Sequence, residues 1–309
     1  MGILQIRDAH RHGAKVLIGL TGAQGSGKTY GAIQFGFGLA GKKGSKLGVL
    51  DTENKRASLL SDILPDGQRF KIADLEPPFS PDRYIKAVKE FEAAGVSVLI
   101  IDSISHEYEG EGGVSDIAET HNKKWIAAKA EHKKFMNALL YSNLDVIACV
   151  RAREKVKVVE YTDKDGRKKQ DFVPQGFQPI SEKNFWFECT IGMMLSDAGR
   201  KREYLKQLPV EFLPFLSKTD GYLTADDGYA LRQWLDSGGK VDHDAGVARI
   251  NLCIAAEGGM KSLKEAWEAL PAETRKKINP SGGCPDDLKT LAAGYDSQQE
   301  GAGADIAAE

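Results

Sequence analysis

Cysteine is sparse. Four residues (Cys149, Cys189, Cys253 and Cys284) are scattered over 309 positions with no C-x-x-C spacing. That leaves no zinc site and no disulfide framework, and fits a reducing compartment. The six histidines show no metal-ligand spacing. No apolar run approaches the roughly 18 residues a membrane span needs, and the N-terminus lacks a signal-peptide pattern. An excess of charge is missing as well: the formal net charge is −2. This argues against wholesale binding to polyanions, so any nucleic-acid contact must come from local patches. No internal repeat is present. These absences lead to the expectation of a soluble, cytoplasmic protein with no membrane contact. What remains is ordinary for a globular chain, with 28% charged and 41% hydrophobic residues. The length allows one large domain and a smaller appendage.

The apolar segments alternate with helical patterns. Residues 15–20 read as a short buried strand stopped by a glycine-rich turn. After Thr29, the apolar residues Tyr30, Ile33 and Phe37 recur at helical spacing, although Gly31, Gly36 and Gly38 lower the intrinsic helicity. Further strands are expected at "KLGVLDTEN" (46–54), "RFKIADL" (69–75), "VSVLIIDS" (96–103) and "DVIACV" (145–150). Amphipathic helices are marked by Tyr84, Ile85, Val88 and Phe91, and by Trp125, Ala128, His132, Phe135 and Leu139. This alternation implies an α/β fold, with a mostly parallel central sheet covered by helices on both faces. Beyond residue 151 the texture changes. "KVKVVEY" and "KQDFVPQ" flank "TDKDGR", whose Asp-Gly has hairpin turn chemistry. "FECTIGMML" and "REYLKQL" could continue the sheet. The expected organisation is a lead-in at 1–14, a core at 15–236, a linker at 237–246, a small helical module at 247–292 and an acidic disordered tail at 293–309. In the module, Leu263, Ala266, Trp267 and Leu270 mark an amphipathic helix.

Gly22, Gly27, Lys28 and Thr29 fit G-x-x-x-x-G-K-[ST], after a strand and opening a helix. A loop of this kind wraps phosphates closely and aims the positive end of a helix at them. Gly22, Ala23, Gln24, Gly25, Ser26, Gly27, Lys28, Thr29 and Tyr30 are the expected nucleotide-binding stretch. Lys28 would reach the β- and γ-phosphates, and the Thr29 hydroxyl would ligate Mg²⁺. Asp102 ends the run "VLIID" and is the second expected metal residue, on a strand beside the phosphate loop, with Ser103 placed to orient the same water shell. ATP and Mg²⁺ are thus the expected substrate and metal. Hydrolysis also needs a group to polarise the attacking water. The residue after Asp102 is a serine, so that group must come from elsewhere, from Glu53 in "GVLDTE" or Glu107 in "SISHEYEGEGG".

"KLGVLDTEN" followed by "VLIIDSIS" resembles the RecA family of recombinases. That family ends the strand after its phosphate loop in a catalytic glutamate and its metal strand in Asp-Ser. Leu50-Asp51-Thr52-Glu53-Asn54 and Ile101-Asp102-Ser103 match those two patterns, so the resemblance implies Glu53 as the base. "LDTENKRASL", "FSPDRYIKAV", "LIIDSISHEYEGEGG" and "VRAREKV" look like the compact RecA-like ATPases of bacteriophages, some of which act in single-strand annealing or recombination. The resemblance covers roughly residues 12–235. It implies a RecA-like P-loop NTPase fold, a homo-oligomer (ring or filament), single-stranded DNA as partner, with a single-strand binding protein or another recombination protein beside it, and work in the bacterial host cytoplasm. Where the family carries a polar sensor, usually glutamine, this chain has Arg151, which could sense the γ-phosphate or reach across a subunit boundary.

The segment after Arg151 carries Arg153, Lys155, Lys157, Lys164, Arg167, Lys168 and Lys169 against few acidic residues. It lies where RecA-like proteins place a mobile DNA-binding loop, with Tyr161, Phe172 and Phe177 available for base stacking. A plain solvated hairpin is the competing reading. Residues 121–134 are a second cationic stretch. Lys201 and Arg202 stand where a neighbouring subunit's basic finger could complete a site. An oligomeric switch or assembly ATPase without DNA, or a helicase-like or loader motor, are the rival functions.

Overall fold

The apolar run ahead of the glycine-rich turn forms β1 (Leu17–Gly22), and all six of its residues are buried. The computed structural model describes residues 14–120, 125–162, 168–237, 243–279 and 281–306. Seven further strands join β1: β2 (Leu47–Asp51), β3 (Lys71–Asp74), β4 (Val98–Asp102), β5 (Asp145–Thr162), β6 (Lys168–Pro179), β7 (Ile191–Ser196) and β8 (Lys201–Tyr204). Their order is β3-β2-β4-β5-β1-β7-β8, with β6 paired to β5 off this path. The pairs from β3 across to β7 are parallel, while β5–β6 and β7–β8 are antiparallel. The sheet is therefore mostly parallel, and the full burial of its central strands β1, β2 and β4 is that of a sheet covered on both faces.

Side-chain alternation along the strands builds two core layers. Leu50, Leu99, Ile101, Val146 and Ala148 pack with Tyr84, Val88 and Phe91 of α2 (Pro81–Ala93) and with the later helix through Phe135 and Leu139. Between β4 and that helix lie α3 (Ser105–Glu109) and α4 (Val114–Thr120); the helix itself is α5 (Trp125–Leu140). The alternate residues Leu47, Ile100 and Ile147 face Gly36 of α1 (Lys28–Leu39). A short α6 (Phe185–Glu188) precedes β7, α7 (Leu213–Leu216) follows β8, and α8 (Ala225–Ser237) packs on α1. The glycines of α1 have a packing reason. A Cβ on Gly38 would lie 1.8 Å from the Ala225 carbonyl oxygen, and one on Gly228 2.0 Å from that of Phe35. Only glycine lets the two helices cross this closely.

The structure corrects several details. "DVIACV" and "KVKVVEY" are not separate strands but one, β5, whose far half leaves the sheet and pairs with β6 alone. The change from apolar to charged residues marks the end of burial, not of the ladder. The Asp-Gly turn lies outside the described residues. Tyr30 does not share the buried face of Ile33 and Phe37 but is 43% exposed. Asp102 is not on the strand next to the phosphate loop, because β5 runs between β4 and β1.

The chain divides into two compact units, Met1–Lys206 with Thr219–Gly238, and Gln207–Lys218 with Gly239–Glu309. The second unit contains α7, α9 (His243–Glu257), α10 (Gly259–Ala269), α11 (Ala272–Ile278) and α12 (Asp286–Ile306). Leu252, Ala256, Leu263, Trp267, Leu288 and Ala292 form its core. The stretch expected to be a disordered tail instead begins inside α12, whose buried Leu288 and Ala292 tie the helix to that core.

Candidate functional site

The ends of β1, β2 and β4 meet the point where β5 leaves the sheet at its carboxyl edge, the place where open α/β sheets bind ligands. Register puts Asp51 opposite Asp102, Asp102 opposite Cys149, and Gly22 opposite Arg151. The phosphate loop turns back from β1 and enters α1 through Gly27, whose φ of +81° is left-handed. A Cβ there would also lie 2.8 Å from the Ala198 carbonyl oxygen, in the turn between β7 and β8. Glycine is thus required at this position on both counts, conformational and steric. A cavity of about 570 Å³ opens over the loop; its wall includes Gly25, Lys28, Thr29, Glu53, Asp102 and Arg151. Gly22, Gln24, Ser26, Gly27 and Tyr30 line it too, whereas Ala23 contributes only its carbonyl.

Lys28 folds back over the loop. Its Nζ donates to the Gly22 carbonyl at 2.9 Å and to that of Ala23 at 2.8 Å. Burial lowers its pKa, against the pull of Asp102 and Glu53. Thr29 Oγ1 donates to Asp102 Oδ2 at 2.5 Å. Asp102 is 3% exposed and makes no ion pair among the described residues. Burial pushes its pKa up to about 6, although the Thr29 bond works the other way. A hydroxyl and a buried carboxylate without a counter-cation, converging on one point, are the hard oxygen donors that suit Mg²⁺. The residues fit that ion. Ser103 Oγ, in contrast, is buried without any hydrogen-bond partner and does not line the cavity.

Glu53 stands across the cavity. It accepts from Arg151 Nε at 2.6 Å, and Arg56 Nη1 lies 3.6 Å from its other oxygen. Burial would raise its pKa, but the Arg151 bond and charge hold it below the usual carboxylate range. The only sequence signal for Arg56 is its place, a cation three residues after the glutamate and across a turn from it.

Glu107 is corrected. It is 1% exposed and points away from the cavity into the core, with both oxygens 3.0–3.1 Å from His132 Nδ1 on α5. Helix α3 starts one turn after β4 and rotates Glu107 inward while leaving Glu109 on the cavity wall. Arg202 is corrected as well. Strand parity turns it inward: it donates to the Gly221 and Tyr222 carbonyls and pairs with Asp227 at 3.5 Å. A buried, internally paired arginine cannot act on a neighbouring subunit. Lys201, the next residue along β8, is exposed.

The cationic segment forms an arm. Lys155, Lys157 and Lys168 are exposed, and Arg153 Nη1 lies 3.5 Å from Glu109. Val156 pairs with Pro174 and Val158 with Phe172, so these four share one face of the ribbon. Lys164 and Arg167 lie outside the described residues, as do the side chains of Tyr161 and Lys169. Away from the loop, a second cavity of about 430 Å³ lies against α5, walled by Lys129, His132, Met136 and Phe185. Among the described residues no cluster of three or more His, Cys, Asp or Glu could hold a metal ion, and no helix is long and apolar enough to cross a membrane.

No family model matches the sequence, and no curated protein matches it. Among solved structures the chain is similar to a KaiC-like protein, PH0186, from the hyperthermophilic archaeon Pyrococcus horikoshii OT3. The two share 17% identity over 54% of this chain and 80% of that one, with a TM-score of 0.30. The sheet order, the parallel core and the loop-to-helix turn on β1 define the architecture. The fold is an α/β one, a mostly parallel sheet with a phosphate-loop turn leading from β1 into α1.

Proposed function

We propose that this chain is a Mg²⁺-dependent, RecA-like ATPase that acts on single-stranded DNA in recombination or annealing. The observation that carries the ATPase half is the convergence of Lys28, Thr29, Asp102 and Glu53 on one cavity at the sheet's carboxyl edge. In this reading the loop N–H groups and Lys28 hold the triphosphate. Thr29 and Asp102 would hold Mg²⁺, which neutralises phosphate charge when bound. Glu53 takes a proton from the attacking water at a carboxylate oxygen, and the Arg151 bond that lowers its pKa keeps it ionised. Arg151 orients that carboxylate and supplies positive charge beside it.

The DNA half is supported by the arm, which carries both exposed lysines and the exposed rings of Phe172 and Phe177. That pairing of cations with stacking surfaces suits a single strand. A second reading has its own observation. Val156, Val158 and Phe172 make an exposed apolar strip, which suits a protein partner and an oligomeric switch ATPase. The test is ATP turnover with and without single-stranded DNA, beside a mobility shift at several salt concentrations. Stimulation with salt-sensitive binding supports the DNA reading; turnover without binding at any salt leaves the switch.

A further inference from the structure

The sequence between β2 and the first residues after Glu53 holds an unusual bend. Asn54 and Lys55 are consecutive non-glycine residues with left-handed φ values of 59° and 64°. Such residues persist only where their surroundings hold them. The holding group is Asp51. It is 2% exposed, and among the described residues it makes no ion pair. Its Oδ1 accepts from the Glu53 N–H at 2.6 Å, and its Oδ2 from the Ala57 N–H at 2.8 Å. A buried carboxylate here spends both oxygens on the backbone of one loop, closing the bend at each end. Charge-assisted bonds of this kind are short and strong.

We infer that Asp51 is a positioning residue for Glu53, and this rests on the ATPase reading above. Arg151 holds the Glu53 side chain, while Asp51 holds its backbone. The strand end is also tied to the metal-side strand, since the Thr52 N–H donates to the Asp102 carbonyl at 2.7 Å and the Ser103 N–H to Thr52 Oγ1 at 2.8 Å. Asp51 therefore sets where the Glu53 carboxylate stands relative to Thr29 and Asp102, without itself lining the cavity. Misplacing a reacting group by about an ångström costs up to ~10²-fold in rate.

The test is Asp51→Asn, which keeps the size and one acceptor oxygen but replaces the second acceptor with a donor. ATP affinity and turnover are measured together, in this variant, in Glu53→Gln and in the double variant. The expected result is a kcat at least ~10-fold lower with ATP affinity within about 2-fold of wild type. The double variant should be no slower than Glu53→Gln alone, because both changes remove one function. Turnover near wild type in Asp51→Asn, with Glu53→Gln slow, overturns the inference and leaves the ATPase reading intact. Loss of ATP binding along with turnover makes Asp51 a general support of the sheet edge and overturns it too. Wild-type turnover in Glu53→Gln instead removes the base assignment on which the inference stands.

Discussion

Arg151 Nε donates to Glu53 Oε1 at 2.6 Å, joining the end of one strand to the root of the projecting arm. The two residues are 98 positions apart, and only the order β2-β4-β5 brings them together. If Glu53 is the base, Glu53→Gln retains ATP and hydrolyses it at least ~10²-fold more slowly, the scale that general-base loss carries. Arg151→Ala should also slow turnover, through lost orientation. Glu107→Gln is the discriminating control: its carboxylate faces His132, so it should change thermal stability and leave kcat within a few-fold. A Glu107→Gln enzyme that folds normally but has lost turnover would sink the choice of Glu53.

Lys28 offers a second check. Its ammonium already bridges the Gly22 and Ala23 carbonyls, so it serves the loop as well as the phosphates. Lys28→Ala should abolish ATP hydrolysis while circular dichroism shows the fold retained. Turnover at the wild-type rate would remove the phosphate-binding assignment.

The crossing of α1 and α8 makes a prediction about stability alone. Gly228→Ala would drive a methyl into the Phe35 carbonyl oxygen, backbone that cannot step aside. Overpacking of this type costs about 1–3 kcal/mol, measurable as a lower urea midpoint. Gly283→Ala, where a Cβ meets nothing within 4 Å, is the matched control and should shift stability by no more than about 0.5 kcal/mol. Equal effects would show that the close crossing does not matter.

The readable parts of this molecule were local. Gly22 to Thr29 announce themselves because a loop, a lysine and a helix start are contiguous, and the apolar strands carry their own burial pattern. What sequence could not resolve were relations across the sheet. Glu53 and Glu107 look alike in the chain, and the rotation of α3 decides which one reaches the cavity. Arg202 reads as a free cation until strand parity and Asp227, 25 residues on, turn it inward. The length of β5 was hidden because exposed lysines replaced buried valines while the ladder continued.

The pair of Glu107 and His132 predicts a pH dependence. Burial would lower the His132 pKa, but Glu107, with help from Glu182, holds it above its ordinary 6.5. Burial likewise lifts Glu107, against the His132 bond. Both groups bind protons more tightly folded than unfolded, so the stability they contribute is present at low pH and lost as pH rises. For His132 the loss begins above its ordinary 6.5 and runs through its raised folded value. Wild type should therefore lose its advantage over the Glu107→Gln/His132→Gln double variant as pH rises above 6.5, followed by melting temperature. An advantage that grows with pH would contradict the assigned shifts.

The arm gives the last prediction, and it separates DNA binding from protein docking. Lys155, Lys157 and Lys168 are exposed on the ribbon, where they are free to meet phosphates. For single strands each lost phosphate contact lowers the slope of log affinity against log salt by roughly 0.7, so neutralising all three should lower it by roughly 2. Phe172→Ala should act differently. Phe172 is 65% exposed, and removing a stacked ring costs about 1–3 kcal/mol of affinity with the salt slope unchanged. Fluorescence anisotropy of a labelled oligonucleotide, titrated at several salt concentrations, measures both quantities at once. If the triple lysine variant binds with wild-type affinity and slope, the arm does not hold DNA. Its apolar face, with Val156, Val158 and Phe172, then becomes the place to look for a protein partner.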